Sequence, residues 1–305
     1  MKKPLLIHIG YHKTATTWMQ NQFFVPAHAF RQIAGHEEVF AHVVNPHGLN
    51  FTPKPMQDHI AKTVAGLPEG EVPVISSEIL SGHPFFGGRE SDIYAKRLHE
   101  IAPDAKILIS IRAQLRILPS VYMQYLLRGG TMPYSQFFRD KYDLGYFSFS
   151  SEHFEYDRLV ALYQSLFGAE NVHIMTQESL RSNLDGAVRQ LADFCDNQAF
   201  QGLVTAARAA HPPSYPEHAA AVLRRINHVQ KSTLNPAPIV KLGDTPRGLY
   251  YFFGYFLKRP PLATLFGKRR PVSDYVRIRF SGRFTASNAR LAKLTKGKLD
   301  LSGYD

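Results

Sequence analysis

Residues 5–20 constrain the fold of this chain more than any other stretch. Leu5-Leu6-Ile7-His8-Ile9 is a short apolar run that ends at Gly10. Tyr11-His12-Lys13 follows, then Thr14, Thr16 and Thr17 within four residues, and Trp18-Met19-Gln20 continues in a helical pattern. A buried strand feeding a hydroxyl-rich turn at a helix N-terminus turns several backbone N–H groups toward one point and can cradle an anion. Lys13 adds a point charge to that cradle, which favours phosphate.

The rest of the chain repeats the strand-then-helix order. Apolar runs predict strands over 5–10, 71–77, 106–111 and 171–175, with part of 37–44 as a further short strand. Helical spacing covers 14–24, 56–65, 91–101, 114–127 and 152–167, and a last helix reaches about 194. The 106–111 run is almost wholly aliphatic, as expected of a strand covered on both faces. Strands alternating with helices predict an α/β fold: a three-layer parallel sheet flanked by helices. Beyond 200 only helical segments stand out, near 217–230, 245–257 and 284–295, separated by Pro-rich loops. The chain therefore reads as one domain over 1–305, with an α/β core over 1–196 and a mainly helical C-terminal extension over 197–305 that could form an acceptor or lid region.

Charge narrows the partners. The 305 residues carry 36 basic and 25 acidic side chains, a net charge of +11. That balance suits nucleotides, acidic glycans, nucleic acid or an anionic membrane surface, although solubility alone would also explain it. Cys195 is the only cysteine, so neither an intramolecular disulfide nor a cysteine-based zinc site can form. It ends an amphipathic pattern and reads as a packed thiol. No run approaches the roughly 18 apolar residues of a membrane span. The apolar start is too short, and too close to His12-Lys13, for a signal peptide. The expected location is the cytoplasm.

A Walker loop needs a glycine, four residues, and then Gly-Lys-Ser/Thr. Here the lysine arrives three residues after Gly10, the second glycine is missing, and the 106–111 strand ends on Arg112, not on aspartate. A magnesium-dependent NTPase fits poorly. Arg112 instead offers a second anion site. It stands at a strand end, Ser120 follows eight residues later, and strand ends of a parallel sheet share one ligand-binding edge. Two phosphate sites on one edge imply a ligand with two separated phosphates.

These residues resemble a known family. His12-Lys13-Thr14-Ala15-Thr16-Thr17-Trp18 is similar to the 5′-phosphosulfate loop of the sulfotransferases, Lys-Ser/Thr-Gly-Thr-Thr-Trp/Leu, and Arg112 with Ser120-Val121-Tyr122 resembles their 3′-phosphate motif. The stretch around Tyr163, Phe167-Gly168 and Asn171-Val172, and the tail from Ser287-Asn288 to Tyr304, also look like family segments. The resemblance implies a P-loop-like fold and 3′-phosphoadenosine-5′-phosphosulfate as donor, with no metal. Lys13 would then stabilise the leaving phosphate oxygen. Thr14, Ala15, Thr16, Thr17 and Trp18 would hold the 5′-phosphate, and Arg112 and Ser120 the 3′-phosphate. Ala15 replaces the family's glycine, which a negative φ would allow. Gln177 stands where some members have a tyrosine near adenine. Residues 268–270 or 296–298 could replace the basic loop of cytosolic members.

Transfer to a hydroxyl needs a general base. Glu78, directly after the 71–77 strand, is the expected one by position, with His12 and His83 in reserve. His8 reads as structural, Trp18 as a packing residue, and Glu152-His153 as the first turn of a helix capped by Ser150 or Ser151. The acceptor expected is a carbohydrate or glycolipid. An ATP-dependent kinase is the second reading. A non-catalytic binder of membrane or nucleic acid is the third, although no RNP-type or helix-turn-helix pattern is apparent.

The last third adds one more signal. Leu249 to Leu257 is almost continuously aromatic, and residues 258–298 hold twelve Lys/Arg against the single acid Asp274. One reading buries the aromatic helix against the sheet. The other makes 249–270 a peripheral membrane or lipid-acceptor surface.

Overall fold

The computed structural model describes residues 4–140, 148–209 and 215–304. Five strands form one wholly parallel sheet in the order β2-β3-β1-β4-β5. They are β1 Leu6–His8, β2 Phe30–Ala34, β3 Val72–Ser76, β4 Lys106–Ile111 and β5 Val172–Thr176. Alternation along the strands divides the core. Leu6 packs with Val74 and Leu108 on one face, whereas Ile7 packs with Ile75, Ile107 and Ile109 on the other.

The first face is covered by Thr16–Trp18, continued as a π-helical turn over Met19–Phe23, and by Leu184–Phe194. The second is covered by Ser91–Ile101, Gln114–Leu127 and Tyr156–Phe167. Helices on both faces of a parallel sheet give the expected three-layer α/β architecture. Cys195 is buried in the first layer, where loss of solvent pushes its thiol up to about 12.

The C-terminal helices thicken the second layer. Leu223 and Ile226 of Ala220–Asn227, Val272, Val276 and Phe280 of Pro271–Phe280, and Leu291 of Thr285–Leu294 join the same core as the sheet. Polar anchors reinforce the contact. Gln114 Nε2 donates to Asn288 Oδ1 at 2.8 Å, and both Ser287 and Arg290 bond the buried carboxylate of Asp157.

Several elements differ from the sequence expectation. No strand forms within 37–44. The chain there is helical over His36–Val39 and Phe40–Val44, and Val39 and Val43, four residues apart, are both buried. The extra strand is β2, an edge strand whose Arg31 and Gln32 lack the apolar pattern of a core strand. The 152–167 helix is broken at Glu155 into Ser151–Phe154 and Tyr156–Phe167, and Ser150 Oγ accepts from Glu152 N as foreseen. The helix after β5 is two helices, Gln177–Ser182 and Leu184–Phe194, because Asn183 caps the second through Gly186 N. Leu262–Phe266 and Pro271–Phe280 were not anticipated. Among the described residues, no helix is long and apolar enough to cross a membrane.

Candidate functional site

The site forms where the C-terminal ends of β3, β1 and β4 lie side by side. Beyond β1 the backbone stays paired to β4, with Ile9 N donating to Leu108 O and Tyr11 N to Ser110 O, both at 2.9 Å. Gly10 permits this close approach. A Cβ there would lie 2.1 Å from Ser110 Oγ and 2.7 Å from His8 Nε2.

A buried polar chain runs beneath the loop. Gln20 Nε2 donates to Ser76 Oγ (3.1 Å), and Ser76 Oγ meets His8 Nδ1 (2.9 Å). His8 Nε2 meets Ser110 Oγ (3.1 Å), which meets Thr14 Oγ1 (2.7 Å), and that hydroxyl donates to Tyr11 O (2.6 Å). Burial pushes His8 down to about 4, against a weaker upward pull from Glu78. The neutral ring therefore donates at one nitrogen and accepts at the other. The chain ties three strands to the loop, giving His8 the structural role expected of it.

The loop backbone is strained. Lys13 and Ala15 both have φ 70°, while Thr14 between them does not have positive φ. Ala15 thus departs from the expectation of a negative φ and occupies the left-handed region that its glycine counterpart would enter freely. Alternation of this kind turns successive N–H groups to one side and builds an anion nest. The side chains divide their work. Thr14 is fully buried and its hydroxyl is used within the protein, Thr16 is nearly buried, and Thr17 is exposed. Trp18 turns its indole into the core, where Nε1–H donates to Ala207 O at 2.8 Å. Thr14 and Trp18, expected among the donor-binding residues, thus have only backbone to offer a ligand.

Arg112 follows the last residue of β4. Its Nη1 donates to Ser120 Oγ at 3.1 Å, so the eight-residue spacing does bring the pair together. Its carbonyl accepts from Tyr156 Oη–H at 2.7 Å, and its Nε is buried with no hydrogen-bond partner among the described residues. Burial and then the charge of Arg181 hold the guanidinium below its ordinary range, with Arg116 adding to the effect and Glu178 opposing it. Glu178 accepts from Ala113 N (3.3 Å) and from Tyr304 Oη–H (3.0 Å), which fixes the chain's tail beside Arg112. Lys13 is likewise lowered by burial, then by Arg112, with Glu78 opposing. Cations desolvated together in this way are relieved by a bound anion.

Glu78 opens the short 3-10 turn Glu78–Ser81, two residues past β3. It is half-buried, and its charge bears on both Lys13 and His8. The reserve bases are close together as well, with the His12 and His83 rings 6.2 Å apart. Burial, followed by the charges of His83, Arg128, His36 and Lys13, pushes His12 down to about 3. Burial and Arg128 push His83 to about 4. Both imidazoles are therefore neutral at pH 7. His153 packs its ring 4.9 Å from Tyr11.

Sequence reasoning did not single out Ser110, Glu178, Arg181 or His36, whose Nδ1 lies 3.1 Å from Ser77 Oγ. Arg181 carried a usable signal, a basic residue in the helix that starts at the C-terminal end of β5. Gln177 keeps a buried Oε1 without a partner among the described residues. The basic residues that bear most on Arg112 are Arg181 and Arg116, whereas 268–270 follow the exposed aromatic segment.

No family model matches the chain, and no curated protein does. Among solved structures, it is similar to a sulfotransferase from Alicyclobacillus acidocaldarius at 16% identity, with a TM-score of 0.46, covering 90% of this chain and 100% of that one. It is also similar to the mouse sulfotransferase SULT7A1 complexed with PAP at 12% identity, with a TM-score of 0.35, covering 97% and 89%. Likenesses at these scores carry no weight for the chemistry, which rests on the sheet edge itself.

Proposed function

We propose that this chain is a sulfotransferase that uses 3′-phosphoadenosine-5′-phosphosulfate as donor. One observation carries the reading. Two separate cationic anion holders, the Lys13 loop and the Arg112–Ser120 pair, stand on the adjacent strands β1 and β4 at the same sheet edge. A nucleotide with a 5′-phosphosulfate and a separate 3′-phosphate carries one anionic group for each holder, and the buried Nε of Arg112, which has no partner among the described residues, suits a phosphate oxygen.

When bound, the donor supplies an activated sulfuryl group. The nest around Lys13 and Ala15 holds the 5′-phosphate through backbone N–H groups. Lys13 neutralises the charge that gathers on the bridging phosphate oxygen as the S–O bond opens. Arg112, supported by Arg181 and Arg116, fixes the 3′-phosphate and so the donor's orientation. Glu78 takes the proton of the acceptor hydroxyl or amine. It is favoured by position, directly past β3 at the sheet edge with its charge bearing on Lys13. The acceptor proposed is a carbohydrate or glycolipid.

Calorimetry with 3′-phosphoadenosine-5′-phosphate, followed by donor-dependent turnover with glycan, lipid and phenol acceptors, tests the proposal. Lys13→Ala should lose about 10²–10³ in turnover with the fold intact, as when one transition-state charge stabiliser is removed. Activity should persist in EDTA. Near-normal turnover of Lys13→Ala, or transfer that needs ATP and Mg²⁺, would sink the assignment and favour a kinase.

A further inference from the structure

The aromatic stretch that follows residue 247 forms the helix Gly248–Leu257, and it is not buried against the sheet. Only one side of it packs. Tyr250 is fully buried, Gly254 lies against Tyr215 so closely that a Cβ would sit 2.4 Å from the ring, and Leu257 is half-buried, its carbonyl bonded to His218 Nε2 at 2.8 Å. These three positions are spaced i, i+4, i+7 and define the inner stripe. The rest of the surface is aromatic and open to solvent, with Tyr251 59%, Phe252 53% and Phe256 53% exposed. The Leu262–Phe266 helix adds Leu265, 69% exposed. Soluble monomers rarely leave so many large apolar side chains together on the surface without a use for them.

Charge identifies what covers this face. Between residues 245 and 273 there is no acidic residue, while Arg247, Lys258, Arg259, Lys268, Arg269 and Arg270 flank the aromatic positions along the chain. Two of the guanidinium groups lie over aromatic rings, Arg259 above Tyr255 at 3.9 Å and Arg269 above Phe266 at 4.9 Å. A stretch of exposed aromatic and aliphatic side chains that carries six cations and no acid fits the boundary between headgroups and acyl chains of an anionic bilayer. A ten-residue helix is too short to span a bilayer, so it would lie in the plane of the surface. A second copy of this chain would bring the same cations face to face, and a polar glycan would leave the phenyl groups uncovered.

We propose that residues 247–270 form a peripheral membrane-docking surface for anionic lipid, inserting Phe252, Phe256 and Leu265 at the interface and setting Lys268, Arg269 and Arg270 against lipid phosphates. None of these residues is among the groups whose charge bears on Lys13 or Arg112.

Co-sedimentation of the full chain with vesicles tests it. Phosphatidylcholine vesicles containing about one third phosphatidylglycerol should pull the protein down, pure phosphatidylcholine far less, and added salt should release it. Replacing Lys268, Arg269 and Arg270 together with Gln should weaken binding to the anionic vesicles about 100-fold, near five-fold per charge. Phe252→Ser with Phe256→Ser should weaken it at least ten-fold. Both variants should bind 3′-phosphoadenosine-5′-phosphate like the parent, so loss of vesicle binding is separable from failure of the donor assignment. No binding to anionic vesicles, or binding that survives the double serine substitution, overturns the proposal. So does self-association of the parent in sedimentation velocity that the serine substitutions abolish, which would assign the face to a second copy.

Discussion

Two backbone angles dominate the site at the scale of single residues. Lys13 and Ala15 sit at φ 70°, where an L-residue costs about 1–2 kcal/mol because Cβ crowds the following carbonyl. The cost persists because the loop is held from below by Thr14 and Ser110 and from behind by the pairing of Tyr11 with β4. Ala15→Gly should therefore raise stability by about 0.5–1 kcal/mol, read as a higher urea midpoint, since relief of the left-handed strain exceeds the extra freedom that glycine gives the unfolded chain. A fall in stability would show that the Ala15 methyl contributes packing worth more than the strain. The loop's composition was legible in the sequence, but its angles were not. A φ value depends on what clamps the residues to either side, and here the clamps come from 96 positions away.

At the scale of elements, β1 and β4 matter because they are neighbours in space and distant in sequence. Their ends bring Lys13 beside Arg112, and the helix after β5 brings Arg181 to the same edge. If Arg112 holds a 3′-phosphate, Arg112→Ala should weaken 3′-phosphoadenosine-5′-phosphate binding about 10–100-fold, the range for losing a charge-assisted hydrogen bond. It should scarcely change binding of the nucleotide lacking the 3′-phosphate. Arg181→Ala should give the same selectivity with a smaller loss, because its charge reaches the site without the Ser120 contact. Equal losses for both nucleotides, measured by calorimetry, would remove Arg112 from that role. The four strands rich in aliphatic residues could be read from composition and period. β2 could not, since an edge strand half open to solvent needs no apolar alternation. The helix of 248–257 was visible as a helix, but its burial was undecided, because a stretch aromatic on all sides has no face that names its partner.

At the scale of the whole molecule, burial of histidines ties stability to pH. His8, His83 and His173 are pushed down to about 4, and His12 and His153 to about 3, in each case mainly by burial. The unfolded chain binds protons near 6.5 that the folded chain refuses, so these groups favour folding fully above about pH 6.5. The benefit is lost progressively as pH falls from there toward the folded values. For His8 alone the loss at pH 5 is about 2 kcal/mol. The thermal midpoint should drop steeply between pH 7.5 and 5. His8→Gln should melt lower at pH 7.5 yet show a shallower drop. An equally steep drop in that variant would exclude His8 as a main contributor.

The sequence by itself determined the α/β class, the strand that opens it, the Lys13 loop and the Arg112–Ser120 spacing. Each is a local pattern of burial or a fixed offset along one strand and helix, and short-range geometry carries such patterns. Tertiary structure alone decided the strand order, the left-handed angles at Lys13 and Ala15, and the polar chain from Ser76 through His8 to Thr14. It also decided the convergence of Arg181, Glu178 and Tyr304 on Arg112, and the exposure of the aromatic helix. These depend on which distant segments share a surface, and that is settled by packing over the whole chain.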